Sequence, residues 1–479
     1  MKKKANIVYI FIDQLRKDSI SFYGQPNIQT PHIDRLFRES VSFENNYSTV
    51  PLCSPFRAML MTGRYPTHNG TINNFLDSSS RQNPNCIANV FNENGYQTAF
   101  IGKWHLGRGV YKENEDYKMV EKYIPSETSE YVPPEERLGF QYFAGYNFHL
   151  NFNDFYYFLD EPKRIHSGKY ETDTETDLAI EYMEQHKDDT EPFMLMVAPH
   201  PPHPLHIPDQ VPAGYLDKVP QELIWRENVP QDHNPLDTLS MRCYYAMVLN
   251  VDDNIGRIMR WLEENKLLED TIVVLTADHG DQLGSHSLHH KMVPYRESLD
   301  TPLAIYWKGR TKPASRRETV FTPIDFFPTL CAMTGVGPVP LEVDGVDLSG
   351  AILEDTEINR GSVLIANYSS HWNEFRSDTP ETAPDWRCWP EWRGVRDQRY
   401  TYVKWLSGKE ELYDNDEDPY QYNNIIKDPA QQERFRYYRD ELKRLMIEAH
   451  DDFLPGTAYA EWFGLGRELI KTGLGCVKK

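Results

Sequence analysis

The chain has 479 residues, 39% hydrophobic and 26% charged, which suits a large globular α/β core with a second unit beside it. A formal net charge of −21 argues against nucleic acid or an anionic membrane surface as a partner. No apolar run reaches the length of a membrane span, and cysteines scattered at 53, 86, 243, 331, 388 and 476 suggest neither a disulfide framework nor a zinc site.

From the N-terminus, three lysines precede an apolar run at 7–12, but that run is too short for an export signal and Asp13 follows at once. It reads as the first strand. The compartment expected from this is the cytoplasm, or the periplasm or exterior if an export signal has been removed. A helix is predicted over 30–39, followed by the run Cys53-Ser54-Pro55-Phe56-Arg57 through Thr62-Gly63-Arg64. There Ser54 is expected to cap a helix, Pro55 to take its first position and Gly63 to end it in a left-handed conformation. Backbone N–H groups at such a start attract an anion beside Cys53, and Arg57 adds a charge-assisted donor. Taken alone, Cys53 reads better as a small buried cysteine before an ordinary helix.

A helix over 85–94 leads to a strand at 98–101, closed by Gly102-Lys103-Trp104-His105. Residues 108–170 are rich in Tyr, Phe, Glu and Asn with weak periodicity and read as an insertion near the mouth of a site. Its aromatics serve either sugar stacking or the packing of a loop-rich subdomain. A helix over 174–185 and a strand at 193–198 precede Pro199-His200-Pro201-Pro202-His203, where prolines fix the imidazole directions. A helix over 239–264, a strand at 271–276 ending in Asp278-His279-Gly280, then Lys291 and a strand at 303–307 complete the pattern. His286, His289 and His290 are surface residues or substrate contacts.

This alternation predicts an α/β fold with a large central, mostly parallel mixed sheet flanked by helices. A large domain over 1–355 is expected, then a smaller α+β subdomain over 356–479. The latter has strands at 362–367 and 399–405, a 411–414 segment leading into an acidic turn at 416–419, and a helix opened by Asp428-Pro429, burying Phe435, Tyr438, Leu442, Leu445 and Met446. Open α/β sheets place their chemistry beyond the carboxyl ends of the strands. Four predicted strands deliver polar residues there: Asp13-Gln14, Lys103 with His105, His200 with His203, and Asp278-His279. Asp13, Gln14, Asp278 and His279 suit one hard divalent cation: calcium first, with magnesium, and with manganese or zinc admitted by the imidazole. Lys103 supplies charge for an anion, and His105 can move a proton near neutral pH.

Cys53-x-Pro55-x-Arg57 followed by Thr62-Gly63-Arg64 resembles the signature of the type I sulfatases, in the alkaline phosphatase superfamily. Phe56 departs from it, standing where many members carry a small residue. Gly102-Lys103-Trp104-His105 resembles the second sulfatase signature, and 393–414 resembles the C-terminal subdomain. The likeness covers most of the chain and is weakest over 108–170 and 365–390. It implies an alkaline phosphatase-like fold and hydrolysis of a sulfate ester, on a small sulfated mono- or oligosaccharide, with neither nucleic acid nor membrane as partner. A maturation enzyme would oxidise Cys53 to formylglycine, whose hydrated aldehyde attacks sulfur.

The resemblance further implies that Asp13, Gln14, Asp278 and His279, with the oxygen at position 53, hold one calcium ion. Gln14 replaces an aspartate common in the family, which removes a negative charge and leaves the metal more open. Lys103, His105 and Lys291 would face the sulfate. His203, beside His200 in the substrate site, would protonate the leaving oxygen, helped by Lys291. His105 would then take a proton from the remaining hydroxyl so that sulfate departs, a step an unmodified thiol lacks.

Two other readings remain. One is a phosphonate monoester or phosphodiester hydrolase of the same superfamily, which the Asp13-Gln14 pair resembles but the Lys103/His105 pair does not. The other is a non-catalytic protein binding sulfated glycans, with Cys53 left as a thiol. Tyr156, Tyr157, Trp372, Trp386, Trp389 and Trp392 form either a carbohydrate platform or core.

Overall fold

The apolar runs become strands of one sheet because each is buried on both faces, as parallel strands covered by helices must be. The computed structural model describes residues 4–74, 85–107, 130–230, 235–368 and 391–454, with backbone alone at 235–236, 471–472 and 475–476. The main sheet contains β1 (Asn6–Ile12), β2 (Val41–Phe43), β3 (Gln97–Lys103) and β4 (Tyr142–Tyr146). A short hairpin outside it pairs β5 (Tyr156–Tyr157) with β6 (Ile165–His166). The sheet continues with β7 (Phe193–Ala198), β8 (Thr271–Ala277), β9 (Leu303–Trp307) and β10 (Ser315–Arg317).

Strand order is β10-β2-β9-β8-β1-β7-β3-β4, and every pairing is parallel except those of β9. Ile7, Tyr9 and Phe11 point into one core with Phe56, Phe326 and Phe327. Val8, Ile10 and Ile12 point into the other, against Tyr244, Met247 and Val251 of the long Pro235–Glu264 helix. Each such side chain contributes roughly 1.5–3 kcal/mol by leaving water.

The register brings the carboxyl ends of neighbouring strands to one level. Ile12 pairs with Ala277, and Ala198 pairs with Gly102. The residues that follow extend this: Asp13 N–H donates to the Pro199 carbonyl at 3.0 Å and Asp278 N–H to the Ile12 carbonyl at 3.2 Å. One edge of the sheet thus carries Asp13, Lys103, His200 and Asp278 together.

The chain then forms an antiparallel meander of β11 (Val363–Asn367), β12 (Trp392–Arg396), β13 (Tyr400–Trp405) and β14 (Glu410–Asp414). The Gln432–Glu448 helix packs Tyr438, Leu442 and Leu445 on Leu364, Val395, Tyr402 and Leu412, with Phe435 and Met446 half-buried at its margin. Asp428 caps as expected, accepting from the Ala430 N–H at 2.9 Å, but it opens a 3₁₀ turn (Pro429–Gln431) that precedes the helix. Among the described residues, no helix is long and apolar enough to cross a membrane.

Several expectations need correction. The 108–170 stretch is not wholly an insertion, because β4 lies in it and completes the sheet edge beside β3. Its sequence, Tyr-Phe-Ala-Gly-Tyr, lacks the aliphatic run that marks the other strands. Ser54 does not cap its helix. The Cys53–Thr62 helix begins at Cys53 with Leu52 at the N-cap, and Pro55 fits its third position because first-turn N–H groups have no intrahelical acceptor. Ser54 instead donates its hydroxyl to the His105 carbonyl at 2.5 Å. Gly63 ends the helix at φ +66° as expected. Tyr156 and Trp392 are core, not platform, and Tyr157 is half-buried against the core; Trp372, Trp386 and Trp389 lie outside the described residues.

Gly102 has φ +107°, and a Cβ there would stand 2.6 Å from the Ala198 carbonyl oxygen and 2.7 Å from a Glu175 carboxyl oxygen. Gly102→Ala should therefore lower the unfolding free energy by ~2 kcal/mol or more. Urea denaturation reads this directly, and an unchanged midpoint would contradict the packing.

Candidate active site

Asp13, on the turn after β1, is the meeting point of the site. Lys103 Nζ, from the end of β3, lies 2.6 Å from its Oδ2, and Arg57 donates to the same oxygen at 3.0 Å. All three side chains are fully buried. Burial alone would raise the Asp13 carboxyl, but Lys103 and Arg57 overcome it and hold the group well below the usual carboxylate range. Arg57 also donates to the Lys103 carbonyl, so it ties β3 to the helix that carries Cys53.

Cys53 Sγ lies 3.3 Å from His279 Nε2, 3.7 Å from Lys103 Nζ and 3.8 Å from Asp13 Oδ1. Its position in the first turn puts unpaired N–H groups nearby, and the Ser54 N–H is taken by Asn74 Oδ1 at 3.0 Å. Asp278 accepts two backbone bonds on Oδ1, from Gln14 at 2.9 Å and His279 at 2.8 Å. Its Oδ2 is buried and accepts no hydrogen bond; Arg57 stands 3.7 Å away. Burial and the neighbouring Asp13 charge push the Asp278 carboxyl up to about 7.

Lys291 and Gln14 meet through a bond from Lys291 Nζ to Gln14 Oε1, while Gln14 Nε2 donates to Asp281. Asp281 thereby fixes which way the amide faces, directing Oε1 to the lysine and the centre. Gln14 and His105 are held at φ +63° and +53°, strained conformations for residues with side chains.

His105 stacks on Phe148 with ring centroids 4.7 Å apart, and Lys103 Nζ lies 5.0 Å over the same ring. His200 is enclosed by Phe148, Phe152 and His203, whose ring lies 4.5 Å away. His203 Nδ1 lies 2.7 Å from the Pro204 carbonyl, which accepts its proton and leaves Nε2 for other work. Burial holds His105, His200 and His203 well below the ordinary histidine range; Lys103 adds to this at His105 and His200, and Lys291 then Lys103 at His203.

Every site residue expected from the sequence therefore gathers at this edge. Phe148, Asp281 and the Glu171/Glu175 pair gave no sequence signal. Tyr146 donates to Glu171, and Glu175 lies beneath Gly102; burial raises both carboxyls. Glu171 and Glu175 stand in an acidic stretch that reads as a solvated helix face. Trp392, read as platform or core, donates from Nε1 to the Met292 carbonyl at 3.0 Å and so steadies the segment carrying Lys291.

Ligand atoms of Asp13, Cys53, Asp278 and His279 all lie within 4.8 Å of one another. A cation fits this donor set: Asp278 has a buried oxygen without a hydrogen bond, and burial and the adjacent Asp13 oppose its charge. His279 Nδ1 lies 3.0 Å from the Gly280 carbonyl, which fixes the tautomer and leaves Nε2 free to ligate. Calcium added to metal-free protein should raise its melting temperature, with about 2.7 kcal/mol of stabilisation at a hundredfold excess over Kd. Asp278→Asn should remove the shift. An identical response from both proteins would place the ion elsewhere.

Residues 5–336 match the Sulfatase family, and residues 284–448 match the family N-sulphoglucosamine sulphohydrolase, C-terminal. The chain is similar to an ulvan-active sulfatase of Formosa agariphila, 32% identical over 458 residues that cover 94% of this chain and 82% of that one. An endo-4-O-sulfatase of Bacteroides thetaiotaomicron is 29% identical over 473 residues, covering 91% and 90%. The solved structure of the yidJ sulfatase of Bacteroides fragilis superposes with a TM-score of 0.81 at 28% identity, covering 96% of this chain and 98% of that one. The motif at Cys53, the fold and these matches agree: the chain belongs to the sulfatase family, within the alkaline phosphatase superfamily, and is a sulfatase.

Proposed function

We propose that this sulfatase hydrolyses a sulfate ester on a sulfated carbohydrate, using Cys53 after its oxidation to formylglycine by a maturation enzyme. The observation that carries this reading is the convergence on Cys53 of Asp13, Lys103 and His279 within 3.8 Å. The relatives' names, an ulvan-active and an endo-4-O-sulfatase, support the carbohydrate class. The 1–355 segment is the catalytic unit in this reading and 356–479 the supporting one, the break falling between the Ser349–Leu353 helix and β11.

Asp13, Gln14, Asp278 and His279, with the oxygen at position 53, would hold one divalent cation, and calcium (or magnesium or manganese) there would supply positive charge. Lys103, Lys291 and Arg57 are already fixed by Asp13, Gln14 and the Lys103 carbonyl, so they meet developing negative charge without reorganising. His203, backed by His200, works through Nε2. Burial, Lys291 and Lys103 oppose its charged form, and an anionic sulfate beside it would favour a proton on Nε2. That proton goes to the departing alcohol oxygen. His105, neutral from burial and Lys103, is suited to accept the proton released at position 53 when sulfate leaves.

Gln14 beside Asp13 favours a second reading, side activity on phosphonate monoesters or phosphodiesters. Specificity constants on an aryl sulfate, an aryl phosphate diester and an aryl phosphonate decide between them. The sulfate should lead, and a larger constant on either phosphorus ester would contradict the assignment. Lys103→Ala should lower kcat on the sulfate by ~10²–10³-fold, the usual loss of one preorganised donor. Retained turnover would remove Lys103 from the site.

A further inference from the structure

Beneath the end of β3, the Glu171–His186 helix buries two carboxyls that the reaction above does not use. Glu171 and Glu175 are fully buried and one helical turn apart, so their side chains share a face. Glu175 Oε1 lies against Gly102, the residue before Lys103, where a Cβ would come within 2.7 Å of it. Glu171 accepts from the Tyr146 hydroxyl, and the Tyr146 ring stands 6.3 Å from that of His200. The pair therefore touches the ends of both β3 and β4.

Hydrogen bonding fixes the proton content of this pair. Neither Glu175 oxygen accepts from an N–H or hydroxyl group, and its partner is the Glu171 carboxyl. Ionised carboxylates are acceptors only, so a bond between two of them needs a proton. The nearby cations are already engaged, since Lys103 and Arg57 both bond Asp13. Tyr170 and Asp173, on the same helix, add no positive charge. Burial, the largest influence, and Asp13 oppose a charge on Glu171. They outweigh Tyr146, Lys103 and the His200 backbone and leave the carboxyl at about 8. Burial and then Glu171 raise Glu175 well above the usual carboxyl range, against Arg57.

We propose that Glu171 and Glu175 are positioning residues for sulfate-ester hydrolysis: one protonated carboxylic-acid pair, Glu175 donating to Glu171, that supports the end of β3 without drawing on the charge of Lys103. Loss of the pair's proton puts an anion near Lys103, which then offers less positive charge to the sulfate. The role of Lys103 rests on the reading above, whereas the protonated pair does not.

Infrared spectra over a pH series test the pair itself. At neutral pH the wild-type protein should show the C=O stretch of a buried un-ionised carboxyl that Glu171→Gln/Glu175→Gln lacks. That band should lose intensity as the pH rises through about 8. Turnover of 4-nitrophenyl sulfate tests the consequence. From neutral pH to about pH 9, the wild-type kcat/KM should fall about tenfold more than that of the double variant, whose amides cannot ionise. Spectra without the un-ionised band, or pH profiles that superimpose, overturn the proposal. A carboxylate band that responds to calcium in its place overturns it too, because a cation and not a proton then joins the pair. Glu175→Gln alone serves both comparisons if the double variant does not fold. Absence of wild-type turnover counts against the reaction assigned above, and the infrared comparison then decides on the pair.

Discussion

Asp13 is completely buried and shares one carboxylate oxygen between Lys103 at 2.6 Å and Arg57 at 3.0 Å. An isolated buried charge costs several kcal/mol even after relaxation, so none of the three tolerates loss of its partners. They come from the end of β1, the end of β3 and the Cys53–Thr62 helix, and Asp278 adds a second carboxylate from the end of β8. Their neutralisation therefore demands that separate elements finish at one level. A slip of one residue in any strand would turn its side chains to the other face and leave a charge unpaired.

Around this charge cluster, the rest of the molecule acts as scaffolding. Glu171 and Tyr146 bond beneath β3 and β7, and Phe148 gives His105, His200 and Lys103 a common surface. Asp281 sets the Gln14 amide, which in turn holds Lys291. The C-terminal sheet reaches the centre through Trp392 and the Met292 carbonyl, while Leu52, Met292 and Val293 pack together just before Cys53. The smaller sheet thus bears on the centre through the lysine-bearing segment and, at Ala366, through a cluster with Met59 of the Cys53–Thr62 helix.

Much of this was legible in the sequence, for a physical reason. Strands buried on both faces must be apolar throughout, so β1, β7, β8 and β9 stand out, and the polar residues that follow them mark the working edge. The missed parts lack that contrast. β2 and β10 have three residues each, and β4 is built from aromatics and glycine. Ser54 looked like a cap because a proline follows it, yet its hydroxyl is needed by the His105 carbonyl. Trp392 stayed open between sugar platform and core because composition cannot tell an exposed indole from a buried one. Asp281 was invisible because its importance lies in a contact with Gln14, distant in the chain.

The proposed chemistry hangs on residue 53, since a thiol there would have no second hydroxyl with which to release sulfate. In the proposed reaction the charge cluster, the cation ligands and the histidines serve a side chain that has been converted. The most direct test is the mass of the peptide containing Cys53 from protein made in its native host. An aldehyde in place of the thiol is the result expected here. An unmodified cysteine in protein that nonetheless hydrolyses sulfate esters would contradict it.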